Sequence, residues 1–332
     1  MTRVGDLGED AIIRRLTRII GPPPRGWLGI GDDAAVIPGD RRDMVVTTDA
    51  LVEGTHFRPG WFRPEDLGWK ALAVNLSDLA AMLATPRAVV VSLVLPADTE
   101  VGWVEALYRG MMRLARVTST AVVGGNLTRG ETCSITVTAF GSVRRGGAAL
   151  RTGAQPGDAV FVTGYPGLAA VGRLALVAGV DNGSRWVRAG KRRFLRPEPR
   201  CAPAGALAGL RPTALIDVSD GLARDLARLS LPGCAPVVDT TRLPVPAGLA
   251  RAATGVGGDA VDLALNGGED YELVFTLGRR AAASMRANGE LAGVPVHEIG
   301  VMEPRRRGIY LKSGGKVIPG GYDHFGRGTS VR

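Results

Sequence analysis

Residues 66–95 read DLGWKALAVNLSDLAAMLATPRAVVVSLVL, and this stretch decides the class of fold. Its first part is apolar on nearly every side of a helix, with Leu67, Ala71, Leu72, Val74, Leu76, Leu79, Ala80 and Ala81. The pattern predicts a long buried helix over 66–84, stopped by Pro86. The run AVVVSLVL over 88–95, closed by Pro96, predicts a buried strand. A helix feeding straight into a buried strand is the unit of a layered α/β architecture. Within the helix, Asn75 and Asp78 are three apart and share a face. A carboxylate among so many apolar residues sits at a cleft or has a partner, because burying an unpaired charge is too costly. A metal ion is a natural partner.

Working outward, Leu7, Ile12, Ile13, Leu16, Ile19 and Ile20 predict an amphipathic helix over 6–20, ended by the prolines at 22–24. Val45-Val46 is a short β-prone run leading into Thr47-Thr48-Asp49. A helix fits 99–116, and strands fit 120–123 and 132–141. Residues 141–158 are rich in turn formers and arginine, which predicts a boundary between a domain over 1–148 and a second over 149–332. Beyond it the patterns predict strand 159–163, helix 166–179, a basic irregular stretch over 182–200, strand 214–218, helix 220–230, strand 271–276, helix 278–288 and strand 296–301. Both halves mix helices with strands, so the expected class is α/β (α+β).

At 332 residues the chain has room for two domains. Hydrophobic residues make up 45% and charged ones 22%, as in an ordinary globular protein. The net charge of +9 raises the question of a polyanion partner. The arginines, however, fall in short bursts (Arg144–Arg145, Arg192–Arg193, Arg305–Arg307) without interleaved aromatics, so no nucleic-acid partner is expected. Cys133, Cys201 and Cys234 are far apart and form no CxxC, which fits a reducing compartment rather than a zinc or disulfide framework. The first residues carry no apolar signal core, and no stretch is apolar enough to span a bilayer. A cytoplasmic protein without a membrane association is expected.

Acidic residues gather at five places: Gly29-Ile30-Gly31-Asp32-Asp33, Thr47-Thr48-Asp49, Asn75-Leu76-Ser77-Asp78, Asp217-Val218-Ser219-Asp220-Gly221 and Gly267-Gly268-Glu269-Asp270-Tyr271-Glu272. Any one of them alone reads as a turn or a helix cap. Together they are a scattered set of hard oxygen donors: Asp33, Thr47, Thr48, Asp49, Asp78, Asp217 and Asp220. Mg²⁺ wants such donors, one or two carboxylates per ion, with phosphates completing the shell. The set is dispersed, so the fold must bring it together. Neither a GxxxxGK[ST] loop nor a protein-kinase motif set is present, so ATP chemistry here needs another scaffold.

The ordered motifs resemble the thiamine-monophosphate kinase family. They are Gly-Ile-Gly-Asp-Asp-Ala-Ala from 29, Thr-Thr-Asp-Ala-Leu-Val-Glu-Gly-Thr-His-Phe from 47, the segment from Lys70 to Met82, Leu150 to Asp158, Ile216 to Leu222, Gly268 to Leu273, and Gly321-Tyr-Asp-His-Phe. This family belongs with the aminoimidazole-ribonucleotide-synthetase-like ATP-binding proteins. The resemblance implies a two-domain fold of that type, dimerising through the N-terminal sheet, with a C-terminal α/β domain completing the substrate site. It implies ATP and several Mg²⁺ ions as cofactors, and thiamine phosphate as acceptor. It makes Asp33, Thr47, Thr48, Asp49, Asp78, Asp217 and Asp220 the magnesium ligands. It puts Arg151, Ser219 and the turn at Gly125-Asn126 at ATP, and His56, Glu269 and Tyr322 at thiamine phosphate. Asp33, Asp78, Asp217 and Arg151 are the residues implied to act on the transfer itself. Because the acceptor is already an anion, no strong general base is needed, and the work is to offset repulsion and align the groups.

Two positions depart from the family pattern. Asn126 stands where an aspartate is usual, offering an oxygen without charge, and Leu83 stands where a glycine is usual. The alternatives are a relative acting on another small molecule and a binding protein weakened by Asn126.

Overall fold

The structure is a computed structural model, and it describes residues 2–7, 9–30, 34–181, 183–313, 316–317 and 320. The chain divides into two compact units, one of residues 1–79 and 84–147, the other of residues 80–83 and 148–332. The first unit holds α1 (Val4–Leu7), α2 (Glu9–Ile20), β1 (Asp43–Val52), α3 (Pro64–Ala81), β2 (Thr85–Leu95), α4 (Val101–Val117), β3 (Ala121–Arg129) and β4 (Ser134–Val143). Its sheet runs β1-β4-β2-β3. β4 is antiparallel to both neighbours, and β2 and β3 are parallel, joined through α4.

The expected helix over 66–84 is α3. Leu67, Leu72, Ala73, Leu76 and Leu79 are all buried, and so are Lys70, Asn75 and Ser77, so its burial runs all the way round. Two glycines let main chain approach main chain here. A Cβ on Gly68 would lie 1.9 Å from the Leu107 carbonyl oxygen, and one on Gly110 would lie 1.9 Å from that of Glu65. α3 therefore meets α4 backbone to backbone. The odd leucine at 83 takes φ +57°, the left-handed region that costs a residue with a Cβ roughly 1–2 kcal/mol. Glycine there would carry no such cost.

The second unit holds β5 (Ala159–Thr163), α5 (Leu168–Val177), α6 (Arg185–Leu195), α7 (Cys201–Leu207), β6 (Ala214–Val218), α8 (Leu222–Arg228), β7 (Ala235–Val238), α9 (Ala247–Gly255), α10 (Ala260–Asn266), β8 (Glu272–Leu277), α11 (Arg279–Asn288), β9 (Glu290–Leu291), β10 (Val294–Glu303), β11 (Ile309–Leu311) and β12 (Lys316–Val317). The sheet order is β12-β11-β7-β10-β5-β8-β6, with β9 paired to β10. Both faces are covered. Val160, Val162, Ile216 and Val274 join one core with Leu222 and Leu226 of α8. Phe161, Leu215, Leu273 and Phe275 join another with Met285 of α11 and Ala80–Ala81. The alternation along each strand decides which side a residue serves. The stretch over 182–200 is not irregular as expected: α6 occupies most of it. Ser184 caps that helix by accepting from the Trp186 N–H, and Val187, Gly190 and Phe194 supply a buried stripe at helical spacing under the arginines.

The contact between α3 and α4 makes a sharp test. Gly110→Ala should destabilise the fold by about 2–3 kcal/mol, the cost of forcing main chains apart. Gly102→Ala, on the same helix but with nothing within 4 Å of the new Cβ, should be neutral or stabilising by about 0.5–1 kcal/mol. Urea denaturation midpoints of the two variants decide it.

Candidate functional site

In the first unit the site is built where β1 meets α3. Thr47 and Asp49 lie two apart on β1 and point to the α3 side. Thr47 Oγ1 donates to Asp78 Oδ2 at 2.6 Å, and the Asp49 N–H donates to Asn75 Oδ1 at 3.0 Å. Asn75 in turn donates from Nδ2 to the Ala71 carbonyl oxygen. The two polar residues sharing a face of α3 thus grip one edge strand, and Thr47, Asp49, Asn75 and Asp78 form one group of oxygen donors. Thr48 points the other way, its Oγ1 sharing a hydrogen bond with Thr138 Oγ1 at 3.0 Å. Two consecutive threonines on a strand cannot offer their hydroxyls to one ion, because alternation separates them.

Asn126 belongs to that second face. It pairs in register with Ser92 of β2, which pairs with Thr136 of β4, which pairs with Ala50 of β1. β3 and β1 are the two edges of the sheet, with β4 and β2 between them. Three strand spacings put Asn126 about 14 Å from the strand that carries Thr48 and Asp49. Its Nδ2 donates to Thr128 Oγ1 at 2.8 Å. A Cβ on Gly125 would lie 2.1 Å from the Val91 carbonyl oxygen, so the strand needs a glycine there. His56 follows β1 in a tight turn. The Val52 N–H donates to its Nδ1 at 3.0 Å, which puts the proton of the neutral ring on Nε2.

In the second unit two acidic motifs form one constellation. β6 ends at Val218 with Asp217 buried, and α8 begins at Leu222. Between them, Ser219 and Asp220 donate their N–H groups to Asp225 Oδ2, each at 3.0 Å. Arg228 spans both carboxylates, donating to Asp225 Oδ1 at 2.6 Å and to Asp220 Oδ2 at 2.5 Å. Burial pushes the Asp225 carboxyl up to about 7, against the pull of Arg228 and the two N–H groups. The segment from Gly267 to Tyr271 is bonded to the same loop: Glu269 N–H donates to the Ser219 carbonyl oxygen at 2.7 Å and Tyr271 N–H to that of Val218 at 2.8 Å. Glu269 and Tyr271 both take left-handed φ values, +67° and +49°, a strain found at functional loops.

What holds this strained loop lies beneath it. Asp270 accepts from the Gly167 N–H at 2.6 Å and the Ala169 N–H at 2.9 Å, satisfying the first turn of α5, and burial lifts its carboxyl to about 7. Glu272 accepts two bonds from Arg200, at 2.7 and 2.5 Å, and one from Thr163 Oγ1 at 2.6 Å, with Arg193 at 3.5 Å. Burial alone would raise its pKa, but the two guanidiniums outweigh that and hold it below the usual carboxylate range. Of the last acidic motif, then, Asp270 and Glu272 are internal fasteners.

Arg151 is exposed, in the segment where the Leu150 carbonyl oxygen accepts from the Leu215 N–H at the start of β6, whereas Ser219 and Asp220 follow the end of that strand. Asp33 and Tyr322 lie outside the described residues. Sequence reasoning missed Asp225, Arg228, Arg200 and Thr163. Only the Asp225–Arg228 pair, three apart at the start of a helix, left a readable signal.

The donors suit Mg²⁺. They are hydroxyl and carboxylate oxygens. That is the pattern of an ion that takes one or two carboxylates and relies on phosphate and water for the rest.

The model of the AIR synthase related protein, N-terminal domain, matches residues 31–143. Thiamine-monophosphate kinase of Escherichia coli K12 is 38% identical over 309 residues, covering 90% of this chain and 92% of that protein. The crystal structure of thiamine-monophosphate kinase from Stenotrophomonas maltophilia K279a is 37% identical with a TM-score of 0.79, covering 90% of this chain and 94% of that one. A structure of AaThiL complexed with AMPPCP and TMP is 32% identical with a TM-score of 0.78, covering 98% of this chain and 99% of that one.

The Glu272 network is testable without any ligand. Arg200→Met leaves a buried carboxylate with one guanidinium and should cost about 3–5 kcal/mol in chemical denaturation. Adding Glu272→Gln to that variant should recover part of the loss, since the uncompensated carboxylate charge goes while Thr163 and Arg193 keep a hydrogen-bonding partner.

Proposed function

This chain belongs to the thiamine-monophosphate kinase family, and we propose that it transfers the γ-phosphoryl group of ATP to thiamine phosphate, giving thiamine diphosphate and ADP. The reading is carried by one observation: the likeness to thiamine-monophosphate kinases runs along nearly the whole of both chains. The oxygen donors lined up between β1 and α3 support it from the geometry.

We assign Mg²⁺ to Thr47, Asp49 and Asp78 in the first unit, to Asp217 and Asp220 in the second, and to Asp33. Bound there, the ions would neutralise charge on the phosphates. The chain's own residues do the rest. Asn75 fixes β1 through the Asp49 N–H, so the strand presents its carboxylate in one register. Asp225 fixes the Ser219–Asp220 turn through two N–H groups, with Ser219 and Arg151 assigned to ATP. His56, Glu269 and Tyr322 are assigned to thiamine phosphate. The strained backbone at Glu269 keeps its carboxylate in place before the ligand arrives, so less ordering cost falls on binding. No side chain is asked to remove a proton from the acceptor, which is already an anion.

The homodimer belongs to the same proposal. The sheet face opposite α3 carries Met44 and Val46, 62% and 53% exposed, beside Thr48, Ala50, Ser92, Thr136 and Thr138. An uncovered, half-apolar face of this kind is what a second copy would bury. Thr48 and Asn126 both lie on it, three strand spacings apart, and pairing of two copies is the arrangement that lets their oxygens share an ion. We place the enzyme in the cytoplasm, where its three free cysteines stay reduced. Among the described residues no helix is long and apolar enough to cross a membrane.

Purified protein with ATP, Mg²⁺ and thiamine phosphate should yield thiamine diphosphate and ADP in a coupled ADP-release assay. No turnover by protein with an intact fold would refute the reading. Asp78→Asn should lower kcat by about 10²-fold or more, the scale for losing one preorganised charge partner. Asn126→Asp should reduce the Mg²⁺ needed for half-maximal rate while changing kcat little. A large jump in kcat would mean that Asn126 had disabled the enzyme.

A further inference from the structure

Asp220 already has a cation. Arg228 Nη2 sits 2.5 Å from Asp220 Oδ2, and its Nη1 sits 2.6 Å from Asp225 Oδ1. The two contacts differ in kind. The Asp225 side chain is fully buried, whereas those of Asp220 and Arg228 are 26% and 36% exposed. The guanidinium is thus anchored at its inner end and meets Asp220 at a rim that ions can reach. Swinging Arg228 away would strand a buried carboxylate, so it stays. The anchor is itself fixed, because the other oxygen of Asp225 holds the Ser219 and Asp220 N–H groups. Arg224, at 3.9 Å from Asp220, adds a weaker positive charge on the same side.

We propose that Arg228 is a resident countercation that sets how much Mg²⁺ the Asp220 position requires, with Asp225 as the residue that keeps it there. This rests on the assignment of Asp220 as a magnesium ligand. A divalent ion taking Asp220 must share or displace Arg228, and a fixed unit charge at salt-bridge range opposes it. Removing that charge at a partly exposed position is worth roughly a tenfold change in affinity for a divalent ion. Loss of orientation at Asp220 acts in the other direction but is smaller, since exposed pairs are worth little. Charge therefore decides the sign. Arg228 also keeps Asp220 from being an uncompensated anion whenever the ion is elsewhere, which makes occupancy of this position respond to Mg²⁺ over a higher concentration range.

The test is a calorimetric titration of the full chain with Mg²⁺ in the presence of a non-hydrolysable ATP analogue, so that the readout is binding and not turnover. Arg228→Gln should lower the half-saturating Mg²⁺ about tenfold. Arg228→Lys, which keeps the charge, should stay near the parent value. Asp225→Asn, which loosens the inner anchor, should shift it in the same direction as Arg228→Gln by a smaller factor. In an Asp220→Asn background, Arg228→Gln should have no effect. Circular dichroism melts establish that each variant is folded, and the Lys and Asn variants carry the test if Gln is not. An unchanged or higher requirement in Arg228→Gln, with Asp220→Asn still weakening binding, would overturn the proposal. If Asp220→Asn alone leaves binding untouched, the assignment of Asp220 as a ligand is what fails.

Discussion

The hydrogen bond from Thr47 Oγ1 to Asp78 Oδ2 is the constraint on which the first unit turns. α3 is buried on nearly every side and Asp78 is partly buried, so its carboxylate is best answered locally. The answer comes from an edge strand, and it comes with a register. Asn75, one turn earlier, takes the next available N–H of that strand. Sliding β1 by one residue would present Thr48 and Ala50 to the helix instead, leaving Asn75 and Asp78 without these bonds and turning Met44 and Val46 inward. The polar pair is thus a device for placing β1, and the candidate ligands follow from that placement.

The second unit reaches a comparable end by other means. Asp217 lies near the end of β6, but Asp220 and Glu269 lie on turns, where nothing like a continuous helix fixes them. Each turn is therefore tied from below: Asp225 under Ser219–Asp220, Asp270 under the start of α5, and Glu272 clamped by Arg200. Carboxylates outnumber the positions that face ligand, and most of the surplus is scaffolding. Counting acidic residues would overstate the site, and following each oxygen to its donor corrects the count.

Much of this was legible in the sequence. β5 and β6 fall at the residues expected, because short buried runs bounded by turn formers leave little freedom. That Asn75 and Asp78 share a face of α3 was also readable from their three-residue spacing, whereas their meeting with Thr47 and Asp49 depends on where β1 lies. The opposed facing of Thr48 needed the knowledge that the strand continues through Asp49 rather than ending before it. α6 was hidden because its arginines mask a sparse apolar stripe, and helix propensity plus a Ser184 cap won over charge. Asp225 and Arg200 were silent because their partners are distant main-chain or buried groups, which no local pattern encodes. The separation of Asn126 from Asp49 came only from strand order, which is a property of topology.

The contact of Gly68 with Leu107 and of Gly110 with Glu65 has a mechanical corollary. Most helix pairs touch through side chains, which change rotamer and absorb small shifts like upholstery. Here main chain rests on main chain, with no torsion to yield. A displacement of α4 is therefore passed whole to α3, and Asn75 and Asp78 travel with it as points on one stiff lever. For oxygens that must meet an ion to within a few tenths of an ångström, a hard joint is the better bearing.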